Sequence, residues 1–557
     1  MNEQLKRRLL LGILVIAALL RLFGLGRGDT MSDESSLAFR AVGMMDFDES
    51  PVQTTPLEWF DPSTSSGQVQ PWWLRLSFHD QPPLLFLIQN GFMKVFGESV
   101  FGFRLPSVLL GIGAVYLLYV IGRKLFSERV GLYAAALYAI TLNGVYISRT
   151  GMQEAYVIFF FLLSLYWFLK ALENDKYFFW TGVAIGLGIL SKYTAFIIVP
   201  ILCTYLIFFR RDCFRNQKFW FGTLIAVLFF SPVLIYNWQL YKAVGYFDFQ
   251  FSFIFGQHPE VWQVTPGKEI GSALDRIRNF PFRLIATNSW LFLSLFFASV
   301  LTFIFRFFKD AKIVLRKYAL LLISFVWLIA LILKIGPSYR FLTMLTPFMI
   351  LGVGIFLAWL NTRARYATIF VIFLTLVFSF EIAYTWNNQI AYYPIGPQPW
   401  FSSKVRYENY NWGYNELNAW LEKELEGKMP AVVFNVKYKF LEAIRDQATQ
   451  KAREQFRQPY PALFVYYGNF DQGPKLWILD RLHIYHGWPI ISVKTYFEYL
   501  QQNGFDYYER VGFQYLYFIN QTNIVSFPGM EQLTQREIAT IANQRGDEVF
   551  KIYFSEL

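Results

Sequence analysis

ATNSWLFLSLFFASVLTFIF, residues 286–305, runs for twenty residues without one charged side chain. At 1.5 Å of rise per residue a helix of that length spans about 30 Å, the thickness of a bilayer's hydrocarbon core. Similar runs recur on both sides of it until about Trp386 and then stop. The composition agrees, since the 557 residues are 55% hydrophobic, 20% aromatic and only 16% charged, proportions foreign to a soluble domain.

Working outward from that stretch, spans at 8–25, 101–122, 131–148, 153–171, 177–190, 193–209, 218–236, 286–305, 317–334, 341–360 and 365–386 give eleven crossings. The formal net charge of +11 would suit nucleic acid if its lysines and arginines formed one face. They lie instead in alternate connections: Lys6 to Arg8, Arg123 to Arg129, Arg210 to Lys218, Arg306 to Lys317, and Arg363 with Arg365. The positive-inside rule assigns those connections and the N-terminus to the cytoplasm, and nucleic acid is not an expected partner. The plasma (inner) membrane is the expected location. Residues 1–25 start basic and continue apolar without a small-residue cleavage site, so they read as an uncleaved first helix. Cys203 and Cys213 fall in an apolar span and a basic loop, which argues against a disulfide.

The outer face then receives 26–100, 149–152, 237–285, 335–340 and the tail from 387. Residues 82–97 are short and broken by Asn90 and Lys94, which fits a helix lying at the interface better than a crossing. Gly182, Gly186 and Gly188 in the short span 177–190 predict close helix packing, and Lys192 follows just beneath the outer surface. The expected division is a membrane domain over 1–386, with 26–100 as its first outer loop, and an extracytoplasmic α/β domain over 387–557. In that tail 431–436, 475–479 and 513–519 read as strands. Asn415 opens a helical pattern, 441–455 reads as a further helix, and Thr534 with Glu537 form a capping-box pattern for a helix through Ile538 and Ile541.

Candidate chemistry clusters at segment ends on the outer side. Asp33 and Glu34 open an amphipathic helical pattern through Leu37, Ala38, Val42 and Met45. Adjacent carboxylates there either cap the helix and complement its dipole, or include a general base for an acceptor hydroxyl. Spacing alone favours capping. His79, Asp80 and Gln81 precede two prolines at a helix entry, and Trp59, Trp72 and Trp73 between the two motifs suit membrane-interface anchoring. Arg104, Arg149, Glu154, Lys192 and Arg340 stand where apolar segments meet the outer side. A charge within a span costs about 2.5–3.5 kcal/mol on insertion scales, so it faces protein or water.

The order DE at 33–34, HDQPPL at 79–84, FRLPS at 103–107, RTGMQEA at 149–155, GLGILSKYT at 186–194, SPVLIYNWQ at 231–239 and SYRFLTMLTP at 338–347 resembles the GT-C membrane glycosyltransferases. More narrowly it resembles bacterial relatives of the protein O-mannosyltransferases and of the lipid A aminoarabinose transferases. The resemblance covers residues 1 to about 386. It implies inverting transfer of a hexose or pentose from a polyprenyl-phosphate-linked donor to a protein, lipid or glycan acceptor at the outer face. It makes Asp33 the general base, Glu34 its partner or a metal ligand, and Glu154 a second acid in the cavity. Lys192 and Arg340, with Arg149 as a weaker member, would neutralise the donor phosphate, and His79, Asp80, Gln81 and Asn237 would contact substrate. Glu34 and His79 are what the chain offers a divalent cation such as Mg or Mn. The family often has His or Lys directly before the paired prolines, where this chain has Gln81. The competing reading is a transporter or flippase of lipid-linked saccharides, against which the acidic residues gather on one side instead of lining a path through the bilayer centre.

Overall fold

A computed structural model of the chain describes residues 2–31, 33–47, 55, 73, 76, 78–257, 261, 271–363, 366–391, 393–432, 439–523 and 526–557. Trp59, Trp72, Arg365 and most of the expected strand 431–436 lie outside the described residues. The chain divides into two compact units, Met1–Leu25 with Leu76–Tyr407, and Gly26–Arg75 with Glu408–Leu557. The division thus falls near residue 407, and much of the segment expected as the membrane domain's outer loop groups with the C-terminal residues.

The first unit is helical, and each expected span is found as helix. Val100–Leu125, Gln153–Ala171, Gln217–Val244, Trp290–Lys309, Ala311–Ile335, Tyr339–Arg363 and Ala367–Gln389 are each long and apolar enough to cross a membrane. Glu128–Ile140 and Leu142–Arg149 form an eighth segment bent by 57°. Glu3–Leu22 carries the basic start, while Phe178–Ser191 and Tyr193–Phe209 are shorter. Leu84–Phe96 is the short helix expected at 82–97.

Glycines set the tightest packing. A Cβ on Gly182 would come within 1.9 Å of the Gly222 carbonyl oxygen, and one on Gly186 within 2.5 Å of Phe229. The Phe178–Ser191 and Gln217–Val244 helices therefore touch backbone to backbone, as the glycine spacing predicts. Buried cations fasten the first helix. Arg21 donates to the carbonyls of Tyr138, Ala139 and Gly144, and Arg149 donates to those of Leu20, Arg21, Phe23 and Gly24. The last carbonyls of a helix have no partner within it, and a cation there also meets the negative end of the dipole.

The second unit carries a five-stranded sheet in the order β4-β3-β5-β7-β6, where β3 is Ala462–Tyr466, β4 Ile490–Ser492, β5 Tyr515–Gln521, β6 Glu537–Ala542 and β7 Glu548–Glu556. The contacts of β3 are parallel and those of β7 antiparallel. Strands β1 (Lys428–Pro430) and β2 (Gln458–Tyr460) form a separate parallel pair. Tyr414–Glu424 and Lys439–Glu454 are the expected helices.

Two expectations for this unit fail. Residues 475–479 are helical, part of a continuous turn sequence Gln472–Lys475, Leu476–Asp480 and Arg481–His486 whose Trp477, Ile478 and Leu479 are buried. A short apolar run does not distinguish a buried helix from a strand, and here the flanking residues continue helically. Residues 537–542 are strand β6, because pairing with β7 outweighs the local capping pattern at Thr534.

Helix Asp33–Gly43 buries Glu34, Leu37, Ala38, Phe39 and Ala41, and Phe39 packs on Tyr485 with ring centroids 4.9 Å apart. Upstream, the Asp29 carboxylate accepts the backbone N–H groups of Trp412, Tyr414 and Asn415, capping the Tyr414–Glu424 helix. Burial nevertheless pushes this carboxyl up to about 7.

Candidate active site

Within the helical unit, three residues far apart in sequence converge. Glu154 is the second residue of Gln153–Ala171, where the helix dipole favours a carboxylate, and it is 1% exposed. Lys192 ends the Phe178–Ser191 helix in extended conformation and sends its ammonium back to Glu154 Oε1 at 2.6 Å. Arg340, in the short turn Tyr339–Leu342, brings Nε within 3.7 Å of the same oxygen. Both cations also lie 5.0 Å from the ring centroid of Phe341. Two positive charges thus share one carboxylate in partly solvent-excluded surroundings.

A second polar group adjoins it through Tyr193, the residue after Lys192. The Tyr193 hydroxyl donates to Asp248 Oδ2 at 2.8 Å, and Asn237 Nδ2 donates to the same oxygen at 3.0 Å. The Asp248 backbone N–H answers to Asn237 Oδ1 at 2.9 Å, and Asp248 caps the Phe249–Ile254 helix by accepting Phe251 N–H. Burial pushes the Asp248 carboxyl up to about 6, and the nearby negative charge of Asp80 adds to the rise.

The HDQPP segment joins this side. Phe249 N–H donates to the His79 carbonyl at 2.9 Å, Phe78 packs on Tyr236 at 4.9 Å, His79 Nε2 lies 3.5 Å from Asp80 Oδ1, and Gln81 donates weakly to Asp80 Oδ2 at 3.4 Å. Among the described residues the buried Gln81 side-chain carbonyl has no hydrogen-bond partner.

Of the residues singled out in the sequence, Glu154, Lys192 and Arg340 form the charged centre, and His79, Asp80, Gln81 and Asn237 belong to its neighbourhood. Arg149 does not join them: its guanidinium is fully buried and committed to carbonyls at the end of the first helix. Arg104 is likewise buried, donating to the Leu25 carbonyl at 3.0 Å. Asp33, exposed at the start of its helix, and the fully buried Glu34 belong to the other compact unit. Tyr193, Phe341 and Asp248 are additions. The first two are sequence neighbours of the cations, and Asp248 is a lone acid amid Tyr246, Phe247 and Phe249, an apolar setting that demands partners for a carboxylate. Among the described residues no three His, Cys, Asp or Glu side chains gather as a metal set, and Glu34 and His79 fall in different units.

Residues 80–236 match the sequence family described as dolichyl-phosphate-mannose-protein mannosyltransferase. The Bacillus subtilis proteins YkcB and YycA, both carrying mannosyltransferase names, are 27% identical over 167 residues and 28% over 165. Each match takes in 29% of this chain, and the chain spans only 22% and 24% of those relatives' lengths. In fold, ArnT from Cupriavidus metallidurans bound to undecaprenyl phosphate is similar over 99% of this chain and 98% of its own, at a TM-score of 0.52 and 12% identity. The Archaeoglobus fulgidus oligosaccharyltransferase in its apo form is similar over 93% of this chain and 70% of its own, at 0.50 and 14%. The chain has the fold of the GT-C membrane glycosyltransferases and, over residues 80–236, the sequence signature of the mannosyltransferase family.

Proposed function

We propose that this chain is an integral membrane glycosyltransferase that moves a sugar from a polyprenyl-phosphate carrier to an acceptor at the extracytoplasmic face. The observation that carries this reading is the Lys192–Glu154–Arg340 cluster. Breaking the bond between an anomeric carbon and a phosphate leaves negative charge on the departing phosphate, and fixed cations beside it stabilise that charge as it develops. Lys192 and Arg340 supply it from two different helix ends. Glu154 holds both in place and prevents two desolvated cations from repelling each other in the empty site.

In this reading the acceptor hydroxyl attacks the anomeric carbon from the face opposite the phosphate. The new C–O bond forms as the C–O bond to the carrier breaks, its electron pair leaves with the phosphate, and the configuration inverts. The hydroxyl proton passes to a carboxylate, which the sequence resemblance assigns to Asp33. His79, Asp80 and Asn237 shape the sugar side of the cavity, with Asn237 and Tyr193 held by Asp248. The mannosyltransferase names of the relatives favour a hexose. The bound undecaprenyl phosphate of the ArnT structure supports a lipid-linked donor.

The test is transfer from a radiolabelled polyprenyl-phosphate sugar by purified protein, paired with mass spectrometry of glycans and glycolipids from cells lacking it. Loss of transfer in Lys192→Ala and Arg340→Ala, with the fold retained, supports the assignment. Undiminished transfer in both removes it.

A further inference from the structure

An apolar cavity lies away from the charged centre, between the Trp290–Lys309, Ala311–Ile335 and Thr346–Arg363 helices, with a volume of about 380 Å³. That is the size of sites that take small organic molecules, which run from about 300 Å³ upward. Its wall is apolar, with Phe303, Leu322, Phe325, Ile329 and Ile355 among its residues. The hydroxyls of Ser299 and Thr302 in it are hydrogen-bonded to carbonyls of their own helix. One end is different. There Arg306, Tyr318 and Trp359 meet, Arg306 donating to the Tyr318 hydroxyl at 3.3 Å and lying 5.5 Å from the Trp359 ring centroid. Among the described residues no carboxylate pairs with this guanidinium.

We infer that this cavity binds an anionic phospholipid, with the phosphate on Arg306 and an acyl chain along the apolar wall. Two features select that occupant. Phe296 and Arg306 are ten residues apart on one helix, so the cavity runs about 15 Å along the axis, the depth of one leaflet's hydrocarbon. Its charged mouth opens where the Trp290–Lys309 and Ala311–Ile335 helices meet, beside the basic run Arg306, Lys309, Lys312, Arg316 and Lys317, where anionic headgroups concentrate. The polyprenyl donor is not the occupant, because Lys192 and Arg340 stand at the other ends of these helices. The inference is independent of the glycosyltransferase reading.

Native mass spectrometry of the full chain in detergent, titrated with phosphatidylglycerol or with phosphatidylcholine of the same acyl chains, tests it. Wild type should hold phosphatidylglycerol about tenfold more tightly than phosphatidylcholine, the effect of one charge-assisted hydrogen bond. Arg306→Gln should erase that preference. Gly352→Leu should weaken both lipids by filling the cavity, and a Cβ at Gly352 meets only Ser299 Oγ, at 3.5 Å, so the backbone accepts it. Equal retention of the two lipids by wild type, an unchanged preference in Arg306→Gln, or displacement of phosphatidylglycerol by equimolar undecaprenyl phosphate would each overturn the inference. Should Arg306→Gln not fold, unchanged binding in Gly352→Leu overturns it alone.

Discussion

Glu154→Gln separates a phosphate site from an ordinary buried ion cluster, because the two make opposite predictions for ligand affinity. The substitution keeps shape and removes one negative charge. A phosphate oxygen on Lys192, bound through an N–H···O contact of about 2.8 Å, would sit about 5.5 Å from the Glu154 carboxylate, given the 2.6 Å Lys192–Glu154 bond. At an effective dielectric constant of about 20, their repulsion is about 3 kcal/mol. Lys192 is 17% and Arg340 28% exposed at the side chain, so solvent screens part of it, and about half remains. Glu154→Gln should therefore tighten carrier-phosphate binding by about tenfold, while transfer slows because Lys192 and Arg340 lose the group that aims them. Lys192→Met should weaken the same binding by about ten- to a hundredfold, the effect of a lost charge-assisted hydrogen bond. The assay is calorimetric titration with a short-chain polyprenyl phosphate in micelles, with thermal unfolding as the control for folding. Weaker binding in both variants, at unchanged unfolding temperature, refutes the reasoning: Glu154 would then be part of the ligand site and not the counter-ion of its cations.

Asp33→Asn should reduce transfer by about 10²–10⁴-fold, the range of general-base contributions, while carrier binding stays within twofold; equal loss of both would mean Asp33 positions the lipid instead of accepting the proton. Arg149→Leu strands four backbone carbonyls at the end of the first helix and should lower stability by about 3 kcal/mol or more, seen as a depressed unfolding temperature, whereas a merely phosphate-binding Arg149 would leave it unchanged. Asp29 titrates at about 7 in the fold against an ordinary value of 3.8. The folded state therefore holds the extra proton between those values, and its contribution to stability is complete below about pH 4 and lost as pH rises through 7. Asp29→Asn should flatten that slope in unfolding measurements from pH 4 to 8.

The membrane bundle was legible because a bilayer imposes length and apolarity on each segment separately, and every expected span is helical. Glu154, Lys192 and Arg340 were legible for the same reason, since charge at the end of an apolar segment needs partners. What sequence could not supply was long-range. Nothing local in 26–75 announces that it groups with 408–557, or that Asp29 caps a helix nearly four hundred residues later. Strand β6 exists only because β7 is there to pair with it, and Arg149 is indistinguishable from Lys192 until the carbonyls around its guanidinium are known.

The buried carboxylate in a site proposed for an anion has a physical purpose. Two cations converging in partly solvent-excluded surroundings without a counter-ion would each be destabilised by desolvation and by the other, and would splay apart. One shared carboxylate stabilises both. Arg340 stands 3.7 Å from that carboxylate, beyond a close ion pair. A departing phosphate can then meet cations already oriented, so little reorganisation accompanies charge development. Replacing Glu154 by a neutral residue trades that preorganisation for affinity, and this is why binding and turnover should move in opposite directions.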